Sequence, residues 1–262
     1  MDLIQSAQNG LFKDVRKLVL QRRERLKTGL AVLDGAHLLA AWLDAGRPVE
    51  RILLTQAGRE NPEIAQLLLR AHVPVSLLDD RLFAELSELP SPSGVLALVR
   101  MPDSPEPRLR GFCLLLDGVQ DPGNVGSILR TAVAAGVEQV LLSSACADVW
   151  SPKTLRAGMG AQAVLDIIER ADLIQFARQF EGQLAVTMLD GATDLYQTDL
   201  RGSLALAFGA EGAGVSTELA SLAAIRLKIP MAAGIESLNV GAAAAICLYE
   251  RVRQCGLPAA CK

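Results

Sequence analysis

Histidine is nearly absent. Only His37 and His72 occur in the 262 residues, too few for a histidine-rich metal centre, and a Ser-His-Asp triad has to draw on one of them. Both lie in apolar helical runs, GAHLLAAWL and ENPEIAQLLLRAH, settings of structural side chains. Cys113, Cys146, Cys247, Cys255 and Cys261 are odd in number and scattered, with no CxxC pair. That argues against a disulfide framework or a zinc ribbon and leaves buried or idle thiols, so no metal is expected. No apolar run nears the ~20 residues that span a bilayer. The first residues, MDLIQSAQNGLFKD, lack the basic-then-apolar pattern of an export signal, so a cytoplasmic protein with no membrane partner is expected. Net positive charge is missing too: 26 Lys and Arg against 29 Asp and Glu give −3. That balance argues globally against nucleic acid, which needs clustered cations for its phosphates. Locally the charge reverses, with Lys13, Arg16, Lys17, Arg22, Arg23, Arg25 and Lys27 opposed only by Asp14 and Glu24. This stretch reads equally as a solvated helix face or an RNA-contacting arm.

Half of the chain is apolar, enough for a sizeable core, and its length favours two domains. Residues 11–30 read as a basic helix and 35–46 as a shorter apolar one. Strand-like runs follow at RILLT (51–55), PVSLLD (74–79) and GVLALVR (94–100), with helical patterns ENPEIAQLLLRAH and DRLFAELSEL between them. MPDSPEPRLRG (101–111) has the Pro-rich, charged composition of a linker. The expected organisation is therefore a domain at 1–100, a linker at 101–111 and a second domain at 112–262. In the second domain FCLLLD (112–117), QVLLSS (139–144), QLAVTMLD (183–190), LALAFG (204–209) and IRLKIP (225–230) are near-continuous apolar strands, as in a parallel sheet covered on both faces. Helices are expected at 124–136, 173–182 and about 237–255. Both domains are α/β, and ligands in such folds sit in loops at strand carboxyl ends.

Three loops carry site-like residues. DGVQDPGNVGSILRTA (117–132) runs from a strand end through a Pro-Gly turn into a helix whose stripe is Val125, Ile128, Leu129, Ala132 and Val133. Arg130 falls off that stripe, with Gly126 one turn earlier on its own side, leaving room for a substrate. Asn124 is placed to cap the helix or to offer its amide to a ligand. FGAEGAGVS (208–216) sets Gly209, Gly212 and Gly214 around Glu211, and is neither a Walker loop nor the GxGxxG fingerprint, which weakens a nicotinamide-dependent oxidoreductase. IPMAAGIESLNVGAAAAICLYE (229–250) opens a small-residue helix after Ser237, a plausible N-cap, with Leu238, Ala242, Ala245, Tyr249 and Val252 as its apolar stripe, suited to a core or an interface. Singly, each loop is equally well an ordinary cap or turn.

In this order, DPGNVGSILRTA, FGAEGAGVS and IPMAAGIESLNVGAAAAICLYE resemble the three motifs of the SpoU/TrmH family of RNA 2′-O-ribose methyltransferases, within the SPOUT superfamily. SPKTLRAGMGA (151–161) looks like a further family segment, placing Arg156 and Gly160 near the site. The resemblance covers 112–256, and more loosely 10–100, which looks like the ribosomal-protein-like substrate-binding domain of rRNA-directed members. It implies a parallel α/β domain tied in a trefoil knot, a homodimer and S-adenosylmethionine as cofactor. It also implies methylation of a ribose 2′-hydroxyl, with rRNA favoured over tRNA and no DNA expected; a catalytically inactive RNA-binding homologue is the alternative. By resemblance the catalytic set is Asn124, Arg130, Glu211, Ser237 and Asn239. Cofactor contacts fall around Gly209, Gly214, Ile229, Met231 and Leu238, and RNA contacts at Arg16, Arg22, Arg23, Arg25 and Arg156. Two departures from the family pattern are Gly241, where many members have Ser or Ala, and Gly158.

Overall fold

The computed structural model describes residues 3–89, 91–188, 192–234 and 237–257. These form two compact units, one of residues up to Asp103 together with Asp148–Ala163, the other of Ser104–Ala147 and the chain from Val164 onward.

The first unit holds a five-stranded mixed sheet of β1 (Leu3–Ile4), β2 (Leu30–Asp34), β3 (Val49–Leu54), β4 (Val75–Leu78) and β5 (Val95–Arg100), in the order β1-β4-β3-β5-β2. The stretch expected as one basic helix is three elements. A helix at Gly10–Leu20 buries Phe12, Val15, Leu18 and Val19, Gln21 turns extended, and a second helix runs Arg22–Thr28. Gly29, at φ 68°, ends it in the left-handed conformation that glycine adopts without strain. LAVLD then pairs antiparallel with β5 as β2, a strand hidden from periodicity because it abuts a helix without a polar break.

Arg25 departs from the expected charged face. It is buried, and donates to the carbonyls of Leu18 and Val19 and to Asp148 Oδ2 at 2.5 Å. Burying a guanidinium is costly unless its donors are matched, and the carboxylate and carbonyls supply the matches. Residues 148–163 are further fixed by the edge-on contact of Trp150 with Trp42, by Arg47 Nε donating to the Ala163 carbonyl at 2.7 Å, and by Arg156, which pairs with Glu88 at 2.5 Å and Asp34 at 3.6 Å. Gly158 is dictated by its neighbour, since a Cβ there would lie 2.4 Å from Oε1 of the fully buried Gln162.

The second unit is a seven-stranded sheet of β6 (Phe112–Asp117), β7 (Gln139–Leu142), β8 (Asp166–Ile168), β9 (Gln183–Thr187), β10 (Thr193–Asp194), β11 (Leu204–Gly209) and β12 (Ile225–Lys228). Its order is β10-β12-β9-β11-β6-β7-β8 and every pairing is parallel. Leu114, Leu115, Leu116, Leu204, Leu206 and Phe208 are all but inaccessible; at about 2 kcal/mol for each large apolar side chain buried, they make the two central strands a firm base for the loops that follow them. β6 and β11 run in register to their ends, where Asp117 stands beside Gly209. The loops carrying the first two motifs therefore start side by side at the carboxyl edge. Strands β8 and β10 are too short to show in the pattern. Among the described residues no helix is long and apolar enough to cross a membrane.

Breaking the Arg25–Asp148 pair tests how the first unit is held. Arg25→Ala strands Asp148 and two carbonyls in the interior, and is expected to cost about 3–5 kcal/mol in urea unfolding. Tryptophan emission is the readout, because the chain's two tryptophans, Trp42 and Trp150, both lie in this unit. A cost below about 1 kcal/mol would place the pair with weak surface bridges.

Candidate active site

The helix Pro122–Ala134 begins two residues before the sequence suggests. Asp121 is its N-cap, with Oδ1 accepting from the Asn124 N–H at 2.8 Å, and Pro122 fits the first helical position, where no N–H is needed. Asn124 is thereby released from capping, and its amide is free for other partners. The buried face is Val125, Gly126, Ile128, Leu129 and Ala132, whereas Val133 is 38% exposed. Gly126, one turn before Arg130, is buried where the helix packs. Arg130 is exposed and forms no ion pair among the described residues, about 9 Å along the helix from Asn124.

β11 ends in a loop that doubles back. Ala210 and Gly214 exchange backbone hydrogen bonds of 3.0 and 2.8 Å, and a Cβ on Gly209 would sit 1.9 Å from the Gly214 carbonyl carbon, so only glycine fits. Glu211 projects from this loop.

The third segment supplies the helix Val240–Cys255, which packs on Pro122–Ala134. Its N-cap is Asn239, not Ser237. Asn239 Oδ1 accepts from the N–H groups of Gly241 and Ala242 at 3.0 and 3.2 Å. That commitment fixes which end of the amide is free, and Nδ2 donates to Asn124 Oδ1 at 3.0 Å and Glu211 Oε1 at 3.3 Å. Asn124, its oxygen occupied, turns its own Nδ2 to Glu211 Oε1 at 2.5 Å. The three motifs thus close a triangle of hydrogen bonds, Asn124–Glu211–Asn239, across 115 positions of sequence. One carboxylate oxygen facing two amide NH2 groups suits its charge, since an ionised acceptor strengthens each bond.

Other expected site residues lie close in the chain without direct bonds to this triangle. Ser237 and Leu238 are exposed just before Asn239, Ile229 and Met231 are half-buried beyond β12, and Gly214 is exposed at φ 70°. Ile235 and Glu236 of the third motif lie outside the described residues. Gly241 is buried against the triangle: a Cβ would lie 3.1 Å from Asn239 Oδ1 and 3.6 Å from Asn124 Oδ1, so the small residue keeps the helix start tight on these amides. The stripe expected to pack, Leu238, Ala242, Ala245, Tyr249 and Val252, faces outward or is half-covered; Val240, Gly241, Ala244, Cys247 and Leu248 are buried instead. Of the expected RNA contacts, Arg16 and Arg23 are exposed, Arg22 is half-buried, and Arg25 and Arg156 are spent on carboxylates. Two residues not anticipated are Asp121, which caps, and Asp117, whose Oδ2 accepts from the Ser216 N–H at 2.9 Å. Asp121 sits just before a helix, the position at which a short acidic side chain signals a cap; Asp117, at a strand end, carries no such local signal.

Residues 111–249 match the model of the SpoU rRNA Methylase family. The chain belongs to that family. Residues 9–97 match the MRM3-like substrate binding domain. The chain is 35% identical to an uncharacterized tRNA/rRNA methyltransferase of Synechocystis sp., over 96% of this chain and 93% of the relative. It is 32% identical to the 23S rRNA (guanosine(2553)-2′-O)-methyltransferase RlmP of Bacillus subtilis, over 95% and 98%. Among solved structures, the SpoU methyltransferase AviRb of Streptomyces viridochromogenes in complex with AdoMet is 30% identical, with a TM-score of 0.85 over 94% of this chain and 98% of that one. The AdoMet-bound rRNA methyltransferase of Sinorhizobium meliloti is 29% identical, with a TM-score of 0.83 over 97% and 98%. In this SpoU chain the motif loops leave the carboxyl ends of parallel strands, and Gly212, Gly214 and Gly234 have open space where a Cβ would stand. Exposed main chain of this kind fits a cofactor held by backbone groups.

Asn239 has two separable duties, and substitution distinguishes them. Asn239→Ala loses the cap, at an expected cost of about 1 kcal/mol by calorimetric unfolding. Asn239→Asp keeps the capping oxygen but sets a second carboxylate beside Glu211. Like charges raise the folded-state pKa of the pair, so its stability matches that of the native protein at acid pH and falls below it as pH rises through the carboxylate range. A native-like stability for Asn239→Asp across that range would break the triangle.

Proposed function

We propose that this chain transfers a methyl group from S-adenosylmethionine to a ribose 2′-hydroxyl of large-subunit rRNA. The observation that carries the reading is the Asn124–Glu211–Asn239 triangle, because it brings all three family motifs to one place. The cofactor supplies an electrophilic methyl on a sulfonium. Main-chain groups around Gly209, Gly214, Ile229, Met231 and Leu238 would hold it, with Ser237 beside them. The triangle fixes the start of the helix that carries Arg130. Arginine stays protonated, so its guanidinium serves as a clamp for the neighbouring phosphate and a stabiliser of the alkoxide, and the hydroxyl's proton leaves to solvent water. Holding the oxygen in line with the methyl group supplies the orientation that bimolecular encounter lacks.

The same reading assigns residues 1–100 to RNA binding, 101–111 to the linker and 112–262 to the methyltransferase domain with its knotted path, working in the cytoplasm. Lys13, Arg16, Lys17, Arg23 and Lys27 are the exposed cations of the two N-terminal helices and the natural phosphate contacts. It also includes a homodimer. Val133, Leu238 and Tyr249, at 38%, 37% and 50% exposure, belong to the packed pair of helices and the turn leading into it, an apolar surface suited to its own copy.

The functional test maps 2′-O-methyl sites in total RNA from cells with and without the gene. One large-subunit site is expected to vanish, to return with the native protein, and to be made about 100-fold more slowly by Arg130→Lys, which loses the planar fork. A change confined to tRNA would overturn the substrate, and full turnover by Arg130→Lys the guanidinium's role.

For assembly, Tyr249→Arg is expected to shift the protein from dimer to monomer in sedimentation equilibrium with its circular dichroism unchanged; a native protein that sediments as a monomer would refute the dimer.

A further inference from the structure

Apart from the bonds of the Glu211 side chain, the main chain of this loop is hydrogen-bonded at two points, and only the first belongs to the loop itself. At its base, Ala210 and Gly214 bond to each other. At its exit, the Ser216 N–H is held by Asp117, 99 positions away in sequence. Asp117 is well placed to anchor something. It ends β6 directly beside Gly209, and the chain turns away immediately after it through Gly118 at φ 75°, whose N–H is held by Ser143 Oγ at 3.0 Å. The loop needs such an anchor. Gly212 and Gly214 both adopt positive φ with nothing near where a Cβ would stand, so at these two positions the backbone gains no restraint from side-chain packing. Ser216 starts a helix of only five residues and makes no side-chain cap bond of its own.

We propose that Asp117 is a positioning residue for the reaction: its carboxylate oxygen sets the glycine-rich loop against the first motif, so that Glu211 meets the amides of Asn124 and Asn239. The inference rests on the methyl-transfer reading and deepens it. What Asp117 contributes is an acceptor oxygen, not a charge or a proton. Asparagine keeps that oxygen and alanine does not. The bond can also be removed from its other end, because Ser216 sits at φ −57°, an angle proline takes, and proline lacks the N–H while its ring pushes the Asp117 carboxylate aside.

Three variants are compared, Asp117→Asn, Asp117→Ala and Ser216→Pro. Two readouts are used: steady-state methylation, and hydrogen exchange of the peptide spanning 209–216 in the cofactor-free protein. Asp117→Ala and Ser216→Pro are each expected to speed exchange of this peptide about tenfold and to raise KM for S-adenosylmethionine by a similar factor. Asp117→Asn is expected to retain native exchange and kinetics. Should Asp117→Ala fail to fold, Ser216→Pro, which retains the Asp117 side chain, decides the matter alone. Native exchange and kinetics in Ser216→Pro overturn the proposal, as does an Asp117→Asn variant as impaired as Asp117→Ala, which would make the charge essential. If the native protein methylates no RNA while Asp117→Ala and Ser216→Pro still loosen the peptide, the anchor stands and the methyl-transfer reading fails.

Discussion

The site is organised by the oxygen of one asparagine. Asn239 Oδ1 has to accept from the first free N–H groups of the last helix, because a helix start leaves donors that nothing within the helix satisfies. With its oxygen so committed, the amide can offer only its NH2 outward. That in turn orients Asn124, and both then converge on Glu211. Helix capping, a local requirement, thus becomes the polarity of a site assembled from three distant segments.

The rest of the second unit serves this convergence. A parallel sheet sends every strand's carboxyl end to the same edge, and the paired register of β6 and β11 starts two of the three loops side by side. Helix Pro122–Ala134 is pinned at its beginning by Asp121 and along its length by Val125, Ile128, Leu129 and Ala132, which leaves Arg130 facing solvent. Gly209 and Gly241 are needed for closeness: the first lets the loop fold back on its own strand, and the second lets the last helix approach the amides.

In the first unit, charge is divided between two uses that composition does not separate. Lys13, Arg16 and Lys17 lie opposite the buried stripe of Phe12, Val15, Leu18 and Val19 and stay in water. Arg25 and Arg156 carry the same charge but are drawn into carboxylates, Arg25 to Asp148 and Arg156 to Glu88 and Asp34. Desolvation by burial pushes the Asp34 carboxyl above its ordinary range, with Ser87 and Arg156 pulling the other way. An arginine in this unit therefore reports on packing as readily as on a nucleic-acid partner.

The central strands and the main helices were legible in the sequence. A strand covered on both faces is apolar throughout, as FCLLLD and LALAFG are, and a helix on a sheet repeats its apolar residues at helical spacing. The motif residues Asn124, Glu211 and Asn239 were legible as well, through their order. Which asparagine caps and which one bridges was not legible, nor was the outward turn of Tyr249 or the burial of Arg25. Each depends on what a side chain meets across 100 or more positions of chain, such as Asp148 for Arg25 or Asn124 for Asn239. Local spacing determines elements and faces; only the folded chain decides which partner is within 3 Å of a given polar atom, and hence what that atom is free to do.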